Sequence, residues 1–302
     1  MVLAVLMAAL TLVTAVLAII DPREILGQNA WFKPMKFAIS IGIYAITLAW
    51  LIGQMRRFRR LGNIAGTVTV IGLVLEIVVI VGAAAADTTS HFNVATPLNT
   101  TLWSIMALSI VVVWLMTLLV GIALLFTRET DAARTVAIRA GVFLGLVGMA
   151  VAFLMTGPTP EQLRDFQGIA GAHAVGVPDG GAGLPFLGWS TVGGDLRVPH
   201  FVGMHALQAI PLALLLLEAL SGRIVVLREA RVRLHLVILG SLTFAAVLAI
   251  LTWQALIGQS IVAPAGGVLV AGAATAAASL AAVVAVLTIG LRRPRGSARI
   301  AA

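Results

Sequence analysis

An all-α, polytopic membrane protein with about eight transmembrane helices is the fold class this sequence predicts, on three observations. Hydrophobic residues make up 60% of the 302 residues and charged residues only 11%, far below the roughly one quarter that is usual in soluble domains. Apolar runs recur along the chain, each near the ~20 residues needed to cross a bilayer. Arginine gathers after every second run, the positive-inside pattern of helical membrane proteins. The runs are continuous and do not alternate with period two, which disfavours a closed barrel. The whole chain, 1–302, reads as a single helical membrane domain.

The expected spans are 2–20, 34–54, 61–84, 98–127, 136–156, 199–220, 234–257 and 265–291. The first has no basic residue before its apolar run and no clear small-residue cleavage site ahead of Asp21, so it reads as a span before a signal peptide. Cleavage there would leave seven helices with the same faces inside. Arg56, Arg57, Arg59 and Arg60 follow the second span; Arg128, Arg134 and Arg139 the fourth; Arg223, Arg228, Arg231 and Arg233 the sixth; Arg292, Arg293, Arg295 and Arg299 the eighth. These are 15 of the 20 Lys and Arg residues. Both termini are therefore expected inside, in a cytoplasmic membrane of bacterial type. The formal net charge of +8 serves topology and does not read as a nucleic-acid footprint. Cysteine is absent, which excludes disulfides, thiolate metal sites and cysteine nucleophiles.

The outer loops carry a different chemistry. Four of the five histidines (His91, His173, His200 and His205) lie in them or just below them, as do both lysines, Lys33 and Lys36. The loop 157–198, between the fifth and sixth spans, holds ten glycines and is longer than structureless loops usually are. It reads either as a lid folded onto the helix mouths or as a flexible tether.

Glu76 is the most unusual residue. It lies inside the third span, roughly 12 Å from the outer end at 1.5 Å per residue. A carboxyl at that depth is costly unless it faces a cavity or a partner, so its default reading is functional, as a proton-exchanging group. In the sixth span His205 and Gln208 lie at matching depth and share a face, which makes a Glu76–His205–Gln208 cluster the expected centre. His200 and His205 are five residues apart, about 140° around a helix, so they do not form a simple zinc pair. His91 with Asp87 and Asp195 could complete a three-ligand zinc site open to water, and Asp195 is also a candidate base. A b-type haem is the related reading, with His205 as axial ligand and Lys33, Lys36 and Arg197 taking its propionates.

Three functions follow as expectations. The first is an outward-facing His/Glu site that binds zinc, iron or haem for redox or hydrolytic chemistry, using His91, His200 and His205 with Glu76. The second is a proton-coupled transporter of a small anionic or lipid-like solute, with Glu76 as coupling carboxyl and Lys33, Lys36 and Arg197 at the mouth. The third is a scaffold without chemistry of its own, whose outer loops bind a protein partner that the sequence does not identify. The bilayer, and an anionic small molecule or lipid headgroup, are the expected non-protein partners.

Overall fold

The computed structural model describes residues 1–55, 57–127 and 131–292. Arg56, Arg128, Arg293, Arg295 and Arg299 of the topology argument lie outside the described residues. The chain is all-helical, as its apolar runs require. Hydrocarbon offers no partner to backbone polar groups, and a helix satisfies them internally. Among the described residues seven helical stretches are long and apolar enough to cross a membrane: α1 (Val2–Ile20), α2 (Phe32–Gln54), α3 (Arg59–Ala85), α4 (Pro97–Leu125), the stretch Ala132–Arg164 that begins with α5 (Ala132–Val151), α9 (Ala230–Leu256) and α10 (Gly266–Arg292). A short α6 (Pro160–Arg164) lies in the long loop.

The expected sixth span is not one helix. It is a pair, α7 (Arg197–Met204) and α8 (Ala206–Leu220), bent by 43° at His205. Pro211 sits inside α8. It cannot donate to the carbonyl of Leu207, and its ring crowds that turn, which loosens the helix above it. The upper piece is fixed by close packing, since a Cβ on Gly148 of α5 would collide with the backbone of Gly203. This is the small-residue contact by which membrane helices approach closely.

Helix α3 packs between α2 and α4, whereas α8 packs against α5 and α9. One core joins α1–α5 around Ala38, Tyr44, Leu48, Val113 and Val120. A second joins α5, α8 and α9 around Ala137, Leu144 and Ile210. At the arginine-bearing end, Arg134 pairs with Glu218 at 2.9 Å and the Arg139 guanidinium caps the carbonyl of Leu125.

At the other end the loops are ordered. Residues 157–196 fold back over the helix mouths. The strand β3 (Ala174–Val175) pairs antiparallel with β4 (Gly194–Asp195), and bridges join Asn93 to Ile169 and Gly183 to Ser190. Helix α6 starts with a capping box in which Thr159 and Gln162 satisfy each other's backbone N–H groups. In numbering by chain order, β1 (Glu24–Ile25) and β2 (Gln28–Asn29) form a hairpin ahead of α2.

Candidate functional site

Beneath these loops lies a cavity of about 470 Å³, within the range of small-molecule sites. Its floor is apolar and aromatic, with Leu73, Met106, Val113 and Trp114 among its residues. At its base Tyr44, itself part of the lining, hydrogen-bonds Thr117, and both lie among the packed core of α1–α5. Its upper wall is polar and includes Lys33, Lys36, Glu76, His91, His173, Asp179, Arg197 and His200.

Glu76 is 2% exposed. Its Oε1 lies 3.6 Å from Nε2 of His91, too long for a direct hydrogen bond, and its Oε2 is buried with no partner. His91 reaches this depth because the 86–96 loop turns inward. Phe92 adopts a left-handed backbone (φ 62°), and the loop is stitched to the long loop by Val94 N–H to Gly168 O and Ala170 N–H to Phe92 O. Its Nδ1 is 3.0 Å from the Ser90 hydroxyl, and its ring packs on Trp103 and Phe37. Burial, reinforced by the positive charges near it, holds the imidazole well below its ordinary pKa, so His91 is neutral.

The expected Glu76–His205–Gln208 cluster does not form. His205 hydrogen-bonds Gln208 at 3.2 Å, and Gln208 reaches across to Thr47 of α2 at 3.0 Å. Neither His205 nor Gln208 lines the cavity. Matching depth along the sequence does not bring these groups together, because α3 packs against α2 and α4 whereas α8 packs against α5 and α9.

Asp195 is corrected as well. Its carboxylate is fully engaged by the Arg197 guanidinium (2.6 Å) and by the backbone N–H groups of Ser190 and Arg197. It is 3% exposed and lies outside the cavity wall. A carboxylate with its lone pairs so occupied anchors a loop and has no free acceptor for base chemistry. Asp87 is exposed, so His91, Asp87 and Asp195 do not converge. Among the described residues no group of three or more His, Asp or Glu side chains is placed to hold a metal ion. The haem arrangement also needs His205 at the cavity, where it is not.

The three cations do line the cavity, in unequal roles. Arg197 is matched by Asp195 and donates to Gly188 O at 2.6 Å. Lys36 donates to Leu187 O at 2.9 Å and to Gln28 Oε1 at 3.2 Å, under the Phe186 ring. Both therefore pin the 183–190 hairpin over the cavity. Lys33 differs: among the described residues its ammonium makes no hydrogen bond or ion pair, though Glu76 and Asp179 lie within electrostatic reach.

Two residues were not singled out from the sequence as a site. His173 Nδ1 is 2.6 Å from Asp179 Oδ2, and Asp179 also accepts from the backbone N–H groups of His173 and Ala174. Burial opposes the Asp179 charge, but these donors hold its carboxyl well below the usual carboxylate range. Burial lowers the His173 pKa despite Asp179. The pair is thus a neutral imidazole donating Nδ1–H to a carboxylate, in a ring that lines the cavity and whose Nε2 has no hydrogen-bond partner among the described residues. The one hint in the sequence was an aspartate six residues after a histidine in a glycine-rich loop. His200 is placed similarly: its Nδ1 meets Gly148 O at 2.9 Å and its ring lines the cavity.

No family model matches the chain, and searches of curated proteins and of solved structures find no match either, so function rests on this site alone.

Proposed function

We propose that the protein is a membrane-embedded receptor or enzyme for an anionic, lipid-like molecule, which enters the cavity from the extracytoplasmic side. The observation that carries this reading is that Lys33, with no hydrogen-bond or ion-pair partner among the described residues, and Glu76, whose Oε2 is buried without one, line one cavity. Leaving a polar atom such as Glu76 Oε2 unpaired away from water costs on the order of a few kcal/mol, while Lys33 offers a charge to the cavity. A ligand that offers an anion to Lys33 and a hydroxyl or amine donor to Glu76 relieves both. Its hydrocarbon part matches the apolar floor.

The arginines clustered at the opposite end support this orientation, because that end matches the positive-inside pattern of a cytoplasmic face. With Glu76 as a group that gives and takes protons, the site suits hydrolytic or proton-transfer chemistry on the bound molecule. The packed floor at Tyr44 and Thr117 favours a one-sided site over a transport path. A zinc or iron ion site has no group of three or more converging His, Asp or Glu side chains to support it among the described residues.

Tryptophans 103, 114 and 189 line the cavity and supply the test. A brominated long-chain fatty acid, added to detergent-solubilised protein, should quench their fluorescence saturably. Lys33→Met should weaken that binding about ten-fold or more, the equivalent of ~1.4 kcal/mol. Equal quenching by the corresponding brominated alcohol, with no effect of Lys33→Met, would refute the reading.

A further inference from the structure

We propose that His173, oriented by Asp179, is a general base that activates water for hydrolysis of an ester bond in an anionic, lipid-like substrate. The proposal rests on the anion-binding reading of the same cavity and goes beyond it in assigning a reaction and a residue.

The geometry has the parts such a base needs. Its orienting carboxylate is 2.6 Å from Nδ1, and three further contacts hold that carboxylate, two from His173 N–H and one from Ala174 N–H. The ring is wedged against Phe92, with centroids 4.9 Å apart, and faces His91 at 6.3 Å. The loop carbonyl of His173 is fixed by Leu196 N–H at 2.9 Å. The base is thereby held in one tautomer and one direction, as a nucleophile-activating histidine must be. Lys33 lines the same wall and has no hydrogen-bond or ion-pair partner among the described residues. It is placed to draw the substrate's anionic end toward the base.

The step balances without a co-reactant other than water. His173 Nε2 takes one proton from a water molecule as the water oxygen bonds to the acyl carbon, and the carbonyl π pair moves onto oxygen. The tetrahedral intermediate then re-forms the carbonyl and breaks the bond to the alkoxy oxygen. That oxygen receives the proton from His173, giving a carboxylic acid and an alcohol and restoring the neutral imidazole.

The groups that face His173 are Asp179 on its own loop, Lys33 of α2, Arg197 at the start of α7, and His91. Lys33 and Arg197 disfavour the protonated imidazole and Asp179 favours it, while burial is the largest effect. Activity is therefore expected to be full at neutral pH and to fall on the acid side, as His173 is protonated.

The test uses 4-decanoyloxy-3-nitrobenzoate, a long-chain ester whose carboxylate lies one aromatic ring away from the reacting ester, with the protein in detergent. Binding is read by tryptophan quenching and hydrolysis by nitrophenolate release. The wild type should bind and hydrolyse it. His173→Ala should bind it equally and lose about a hundred-fold or more in rate, with partial rescue by added imidazole. Asp179→Asn should lower the rate and shift the pH profile. Binding without hydrolysis, or hydrolysis unchanged in His173→Ala, overturns the assignment of the base and leaves the anion site intact. Absence of binding removes the anion site and this proposal with it. If His173→Ala fails to fold, Asp179→Asn with its pH profile decides between the same outcomes.

Discussion

His91 Nε2 stands 3.6 Å from Glu76 Oε1: the partner of the buried carboxyl is an imidazole from the loop after its own helix, delivered downward by a left-handed turn at Phe92. The gap between them is wider than a hydrogen bond, and Oε2 is unpaired, so the pair brackets a position that a ligand atom or water can occupy. Glu76→Gln keeps the volume and removes the acid. It is expected to leave the melting temperature in detergent nearly unchanged and to abolish proton uptake or release on ligand binding, as measured in weakly buffered solution. Unchanged proton exchange in this variant would exclude Glu76 as the exchanging group.

The neutral imidazoles give the fold a pH dependence of defined sign. Burial, with neighbouring positive charges adding to it, depresses the pKa of His91, and burial depresses that of His173 against the opposing effect of Asp179. Unfolded histidines take up protons below about pH 6.5, whereas these two resist them in the folded state. Their contribution is therefore complete above that pH and is lost as the pH falls. The melting temperature should decline from about pH 7.5 to about pH 5.5, and more shallowly in His91→Gln. A flat wild-type profile would contradict this assignment.

The hairpin over the cavity should depend on the two cations that hold it. Arg197→Ala removes the donor to Gly188 and strands the Asp195 carboxylate, whose side chain is 1% exposed. Breaking such a pair costs on the order of 3 kcal/mol. Lys36→Met removes the bond to Leu187 O and should act more locally. Amide hydrogen exchange in 183–190 is expected to rise in both variants, while only Arg197→Ala lowers the melting temperature by several degrees. Unchanged exchange in Lys36→Met would mean that the hairpin is held by other contacts.

Close helix approach makes a separate prediction. At Gly148 a methyl group would meet the backbone of Gly203, and no rotamer change relieves a backbone collision. Gly148→Ala should destabilise the protein by about 2 kcal/mol or more and displace His200, whose ring is bonded to the Gly148 carbonyl. Thermal unfolding reads the first effect. Gly222→Ala, at a position with only a distant neighbour, is the control and should be silent.

Much of the architecture was legible because a bilayer imposes a length on each helix, and the apolar runs carry that length in the sequence. The boundaries of α1, α2, α9 and α10 fall within a few residues of those runs. The break at His205 was not legible, since Pro211 marks a weak turn but the opposing Gly148–Gly203 contact is a long-range event. Glu76 stood out because ionisable groups are costly at that depth. Its partner did not, because depth gives height along the bilayer normal and says nothing about which helices are neighbours or which way they turn. His173 and Asp179 were obscured for another reason: they meet in a glycine-rich loop with no periodicity, held by backbone pairing of β3 with β4. Asp195 and Arg197 suit either a local ion pair or chemistry in the sequence, because opposite charges two residues apart look alike in both roles, and in the structure they form the ion pair.

Topology can be tested cleanly because the chain has no cysteine. A single cysteine at Gln167, exposed in the long loop, should react with a membrane-impermeant maleimide in intact cells. One at Arg223, exposed at the arginine-bearing end, should react only after permeabilisation. The reverse pattern would invert the orientation and put the cavity on the cytoplasmic side.

The most direct test of the cavity's role is native mass spectrometry of protein extracted from its own membrane in mild detergent. A bound anionic, lipid-like adduct is expected on the wild type and should be lost from Lys33→Met while the protein stays folded. Identical adduct patterns on the two proteins would contradict the account, because the unpaired ammonium would then have no ligand to hold.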